Sequence, residues 1–145
     1  MPVENSSAPL VRPLEAGDTA LLYGVFCGLS DWSRKKFRPH DFTFATAVKF
    51  TGEGLAEEDC KRYIALVSEN GVAAAAGYCF LYDMMSETPS LGIAVSDRWQ
   101  RRGVGAAMME YMIQTAREAG KKELHLTTDK DNIAGQTLYQ KCGFV

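Results

Sequence analysis

The sequence predicts an α/β fold: a mixed, twisted central sheet with helices on both faces. Three observations predict it. First, 62–68 and 72–82 are β-rich runs flanking Glu69-Asn70-Gly71, and Asn-Gly accepts the positive φ of a hairpin turn. Second, 91–126 reads as a strand, a glycine turn, an amphipathic helix and a second strand. Third, two strands joined by a helix form a right-handed parallel crossover, whereas the hairpin is antiparallel, so the sheet is mixed. Helices must then cover its apolar faces.

Each element has its own local reason. Residues 1–9 read as a disordered leader. A short first strand at 10–14 contains Pro13, which suits only an edge or a strand end. Asp18 is placed to cap a helix running to about Gly28, with Leu21, Leu22, Val25 and Phe26 on its apolar side. Residues 30–37 are helical, Pro39 interrupts, and 41–50 add a helical turn or two. A loop at 51–59 ends in a helical turn at 57–60. In the returning strand of the hairpin, the alanine run at 73–76 has weak β propensity. Gly77 there marks a bulge or a close backbone approach. After a loop at 83–89, the run 91–95 is the central strand. Val104, Ala107, Met108, Tyr111, Met112 and Thr115 recur at helical spacing, and Gly120 ends that helix. A strand follows at 123–128. Asp131 or Asn132 begins the last helix, which stops at Gly143.

Composition narrows the class. The 145 residues suit a single domain, 46% hydrophobic and 23% charged, able to bury a core without staples. A net charge of −2 gives no general case for a nucleic-acid partner. Arg98, Arg101 and Arg102 form a local cluster that suits a small anionic ligand. The cysteines at 27, 60, 79 and 142 lack metal-type spacing and read as buried, reduced thiols of a cytoplasmic protein. The N-terminus has neither the basic start nor the apolar segment of a secretion signal, and no stretch has the length of a membrane span.

The turn at 100–105, Gln-Arg-Arg-Gly-Val-Gly, is suited to phosphate. Gly103 and Gly105 let the backbone approach a ligand. The helix starting there aims unpaired N–H groups and the positive end of its dipole at the turn. It is not the dinucleotide fingerprint, because Met108 stands where a third glycine is needed. It is not a triphosphate loop, because no Gly-Lys-Ser/Thr follows.

Gln100, Gly103 and Gly105 instead resemble the acyl-coenzyme A loop of the GNAT superfamily of N-acetyltransferases, Gln/Arg-x-x-Gly-x-Gly/Ala. A second stretch, Asn132 and Ala134 followed by Leu138-Tyr139 and Gly143-Phe144, is similar to that family's closing motif. Together they cover roughly 91–145.

The resemblance implies a GNAT-like fold and acetyl transfer from acetyl-CoA, without metal, to a small-molecule or peptide amine. It places the CoA pyrophosphate on the backbone of Gln100, Arg101, Arg102, Gly103, Val104, Gly105 and Ala106. It gives the Val95 backbone to pantetheine and the Ile93 N–H to the oxyanion. Tyr139 becomes the general acid, two helical turns after Asn132, which either contacts the cofactor or simply caps its helix. Many family members carry a Glu near the start of the central strand. Here Pro89-Ser90 stands there, leaving Glu87 and Asp83 upstream as candidate bases. Trp32, Arg34, Phe37, Arg38 and His40 fall where such enzymes recognise acceptors. His125 reads as a hydrogen-bonded strand residue. Family members usually continue for two strands beyond Gly-Phe, so the final strands are expected to be missing. That leaves 123–128 at an edge and makes a homodimer one way to cover it. Two other readings remain open: a catalytically weak acyl-CoA sensor of the same fold, and a regulatory domain for another phosphate ligand.

Overall fold

A computed structural model of the protein describes residues 8–36, 40–128 and 132–145. Most of the expected leader, together with Phe37, Arg38, Pro39 and Asp131, lies outside the described residues. Among the described residues four strands form the sheet: β1 (Leu10–Pro13), β2 (Cys60–Glu69), β3 (Val72–Tyr82) and β4 (Ser90–Val95). They lie in the order β1-β2-β3-β4, each antiparallel to its neighbour. Asn70 and Gly71 both have positive φ, 52° and 79°, as the tight turn between β2 and β3 requires. Ala65 pairs with Gly77 and Leu66 with Ala75, so Ala76 is the extra residue of a bulge beside Gly77. β1 takes the edge, where Pro13 does no harm.

The expected strand at 123–128 is corrected by the structure. That segment touches the sheet at one parallel bridge, His125 to Ser90. The Leu91 N–H donates to the His125 carbonyl at 2.9 Å, and the His125 N–H donates to the Pro89 carbonyl at 2.9 Å. No further pairing follows among the described residues. Strand β4, expected at the centre, is therefore the outermost strand of the ladder, and the sheet is mixed only through this bridge. Leu124 and Leu126 still pack against the core, which holds the segment without a ladder.

Among the described residues, five α-helices accompany the sheet: α1 (Thr19–Cys27), α2 (Asp31–Lys36), α3 (Phe44–Phe50), α4 (Val104–Glu118) and α5 (Ile133–Lys141). Side chains alternate across a strand, and neighbours in β2 and β3 accordingly serve different cores. Ile64, Tyr78 and Phe80 meet Leu22, Val25 and Phe26 of α1 and Phe50 of α3. Tyr63, Cys79 and Leu81 meet Val104, Met108 and Met112 of α4. Met109 is also fully buried, although it falls outside the expected stripe.

Three local expectations change, and α3 has a cap that the sequence did not single out. Residues 16–18 form a 3₁₀ turn ahead of α1, so the Asp18 carboxylate faces backwards and does not cap α1. It accepts from the Glu15 N–H at 2.8 Å and takes a bidentate pair with Arg12 at 2.7 and 2.9 Å. The Arg12 guanidinium holds that carboxyl below the usual range. Thr43 caps α3, accepting from the Thr46 N–H at 3.1 Å. The helical turn expected at 57–60 sits at Glu53–Ala56, and Cys60 already begins β2. Cys27 is exposed, whereas Cys79 is buried and its thiol is pushed up by desolvation.

Candidate active site

The site is built from the outer edge of β4 and the turn that follows it. In an antiparallel pair, alternate residues bond to the partner strand. The Ser96 N–H donates to the Ala76 carbonyl, towards β3, whereas the Leu91 N–H points away, towards His125. By the same alternation the N–H groups of Ile93 and Val95 also point away from β3. Among the described residues, no backbone carbonyl outside the strands reaches them. They lie roughly 7 Å apart, two residues of strand. The Val95 carbonyl is engaged, accepting from Gln100 Nε2 at 3.1 Å.

Past β4 the chain turns tightly. The Trp99 N–H donates to the Ser96 carbonyl at 2.8 Å, and the indole is buried. The Arg98 and Arg102 guanidinium groups lie 4.7 and 5.2 Å from its ring centroid. Arg98 also pairs with Glu69. Arg101 and Gly103 are both left-handed, with φ of 62° and 85°. Gly103 is the residue before α4, and no side chain caps that end. The first bond of the helix runs from the Ala107 N–H to the Gly103 carbonyl. The N–H groups of Val104, Gly105 and Ala106 therefore have no acceptor within the helix.

The two glycines do different work. A Cβ on Gly103 would meet nothing within 4 Å, so the space before the helix end is open. A Cβ on Gly105 would come within 2.9 Å of Leu138 Cδ2, so that glycine lets α5 approach α4. The Val104 side chain is core, and only its amide faces the turn. The turn offers several N–H donors, the dipole of a 15-residue helix and the exposed Arg101 and Arg102, which fits a pyrophosphate.

Asn132 caps α5. Its Oδ1 accepts from the Gly135 N–H at 3.2 Å, and its Nδ2 donates to Thr128 Oγ1 at 3.1 Å. Tyr139 is half-buried, and burial pushes its phenol up. Its ring meets Phe144 edge-on at 6.5 Å. A cavity of roughly 570 Å³ lies between the 123–128 segment and α5, lined by Leu124, Leu126, Thr128, Tyr139 and Phe144 among others. It includes nothing from β4 or the 100–106 turn.

Glu87 lies outside β4 and the 100–106 turn. It is exposed in the 83–89 loop, beyond the first residue of β4. That loop is tied to Asp59, and by the Ser86 carbonyl to Lys121, beyond the far end of α4 from Gly103. Ile93 lies roughly 10 Å further along the strand than Ser90. His125 is exposed and bonds Glu123 at 3.0 Å. His40 lies among the rings of Phe26, Phe42, Phe50, Tyr78 and Phe80, and burial pushes its imidazole down. Arg34 donates to the carbonyls of Leu29 and Phe26, joining α1 to α2, while Trp32 is exposed. Sequence reasoning missed Ser30, Ser33, Ser96 and Asp97, which join α2 to the turn. Their one signal was a pair of short polar clusters that read as ordinary loop and cap residues.

A model of the acetyltransferase (GNAT) family matches residues 26–144. The chain belongs to this family. It is an acetyl-transferring enzyme. Over 101 residues it is 29% identical to the [ribosomal protein bS18]-alanine N-acetyltransferase of Escherichia coli, covering 69% of this chain and 67% of the relative. Among solved structures, the GNAT domain of S. lividans PAT superposes with a TM-score of 0.78 at 19% identity, covering 94% of this chain and 81% of that one. A mutant of the spermidine N-acetyltransferase SpeG from Vibrio cholerae gives a TM-score of 0.71 at 17% identity, covering 94% and 80%. At such identities the likeness to solved structures is one of fold. No helix among the described residues is long and apolar enough to cross a membrane.

Proposed function

We propose that the protein moves an acetyl group from acetyl-CoA to a primary amine by direct attack. The observation that carries this reading is the pairing of a free β4 edge with an uncapped helix N-terminus two turns of chain away. The pyrophosphate lies on the N–H groups of Gly103, Val104, Gly105 and Ala106, with Arg101 and Arg102 beside it. Pantetheine runs along β4 and accepts from the Val95 N–H. The thioester oxygen accepts from the Ile93 N–H.

The chemistry follows from that placement. The amine nitrogen attacks the thioester carbon, and the charge that develops on oxygen is met by the Ile93 N–H. Collapse of the tetrahedral intermediate breaks the carbon–sulfur bond. Tyr139 hydrogen-bonds the departing sulfur as charge develops there; the amine's proton leaves to water, and water returns a proton to the thiolate. Gln100 acts indirectly, holding the Val95 carbonyl so that the strand edge keeps its shape. Asn132 fixes the start of α5 and thereby the height of Tyr139. The acceptor is a small-molecule or peptide amine; the relatives named above act on a protein alanine and on spermidine. The catalytically weak sensor is the second reading, and the observation that favours it is that Glu87 is exposed in the 83–89 loop, outside β4 and the 100–106 turn.

Calorimetric titration tests the cofactor assignment. CoA should bind at one site, and ATP and NAD should bind at least about tenfold more weakly, because neither offers an arm to the β4 edge. Equal binding of all three would reduce the turn to a general phosphate cradle.

A further inference from the structure

A polar network joins the cofactor turn to the opposite face of the sheet. Asp97 opens the turn. Its carboxylate Oδ1 accepts from the Ser30 N–H at 3.1 Å and from the Ser33 hydroxyl at 2.9 Å. Its own N–H donates to the Gly28 carbonyl at 2.9 Å. The neighbouring Ser96 hydroxyl donates to the Val25 carbonyl at 3.3 Å. Ser33 and Ser96 are buried, which shields the Ser96–Val25 bond and partly shields the Ser33–Asp97 bond, whereas the Ser30–Asp97 bond is exposed. Ser30 then caps α2: its hydroxyl accepts from the Ser33 N–H at 3.2 Å, and its carbonyl accepts from the Arg34 N–H at 2.9 Å. On the other side, Gln100 Nε2 lies 3.5 Å from the Ser33 hydroxyl and bonds the Val95 carbonyl.

The chain of contacts thus runs from the N-terminal turn of α2, through Asp97 and Gln100, to the last residue of β4. That residue is two positions from Ile93. Helix α4 and the phosphate-facing amides occupy one face of the sheet, and α1 leads into α2 on the other. Helix α2, linked through Gln100 to the end of β4, borders one approach to a thioester held on that edge. The exposed Trp32 stands on that helix.

We propose that Asp97 is a positioning residue that couples occupancy of the cofactor turn to the order of α2, the element bordering the amine's approach. The coupling rests on the cofactor site assigned above. With the turn empty, the 96–103 backbone is free to shift and α2 loosens with it. With CoA seated, Asp97 and Gln100 are held, and so are the Ser30 and Ser33 groups bonded to them. Local opening of short, marginal elements is what such a tether suppresses. A merely structural Asp97 would steady α2 equally with and without ligand.

Amide hydrogen exchange with and without CoA separates these cases, read at 103–107 and at 30–36. In the parent, CoA slows exchange at both, by at least about fivefold at 30–36, the lower end of ordinary coupling between sites. Asp97→Asn keeps the effect, since its amide oxygen accepts the same two bonds. Asp97→Ala keeps protection at 103–107 and loses the CoA-dependent part at 30–36. Ser33→Ala, a mild change at a small buried hydroxyl, shows the same selective loss and carries the test if Asp97→Ala does not fold. Equal CoA-dependent protection of 30–36 in the alanine variants and the parent would overturn the coupling. So would a parent protected at 103–107 alone. Absence of protection at 103–107 in the parent would instead overturn the cofactor site on which the coupling depends.

Discussion

Replacing Gly103 with Asp lowers CoA affinity about 100-fold, while Gly103→Asn stays within about tenfold of the parent. Both variants place a side chain at φ 85°, with the same strain, and Asn and Asp tolerate that region better than other residues. Both side chains enter the open space before α4 and can cap it. Only Asp brings charge. A unit charge roughly 5 Å from another, at an effective dielectric near 20, costs about 3 kcal/mol, which corresponds to about 100-fold in affinity. Calorimetry on both variants, with melting curves to confirm folding, reads the difference. Parent-like binding by the Asp variant would remove the pyrophosphate from this turn. Gly105 is the poorer place for such a test, because a side chain there first meets Leu138.

Tyr139→Phe lowers kcat roughly 10- to 100-fold and leaves CoA affinity nearly unchanged. General acid assistance is typically worth about 10²–10⁴. The low end applies here for two reasons. A thiolate is already a fair leaving group. Burial also raises the Tyr139 phenol above its ordinary value of about 10, whereas a thiol ionises near about 8.5, so full proton transfer to the free thiolate is uphill. The hydroxyl therefore acts mainly as a hydrogen-bond donor to the sulfur as charge appears there. The phenylalanine ring keeps the contact with Phe144 and the packing against the core. Steady-state kinetics and a binding titration on both proteins separate the outcomes. An unchanged kcat would take Tyr139 out of the mechanism, and an equal loss of binding would make it a cofactor contact.

Where a residue's neighbours in sequence settle its conformation, the chain was legible. Asn70-Gly71 located the hairpin, Gly143 proved left-handed, and the α4 stripe reached the core at Val104, Met108 and Met112. The acyl-CoA loop and the closing motif led to the family that the comparison of residues 26–144 establishes. Contacts between distant segments were not legible. The 123–128 run has the alternation of a strand, but pairing needs a partner running alongside, and β4 meets it only at Ser90. Asp18 looked like a cap because nothing local reveals that Arg12 lies against it. Gln100 belongs to the loop motif, yet its amide turns back to Val95. Asp97 reads as an ordinary turn residue, since its side-chain partners stand more than sixty residues away.

The identity of the reaction is tested most directly by its product. The parent protein is incubated with acetyl-CoA and a panel of polyamines, aminoglycoside-type amines and peptides with free N-termini. Free thiol and the mass of each amine are followed together. Acetyl transfer by direct attack predicts that at least one amine gains an acetyl group in step with thiol release, with little release when no amine is present. Tight CoA binding without an acetylated product from any class would contradict the enzyme reading and leave the acyl-CoA sensor in its place.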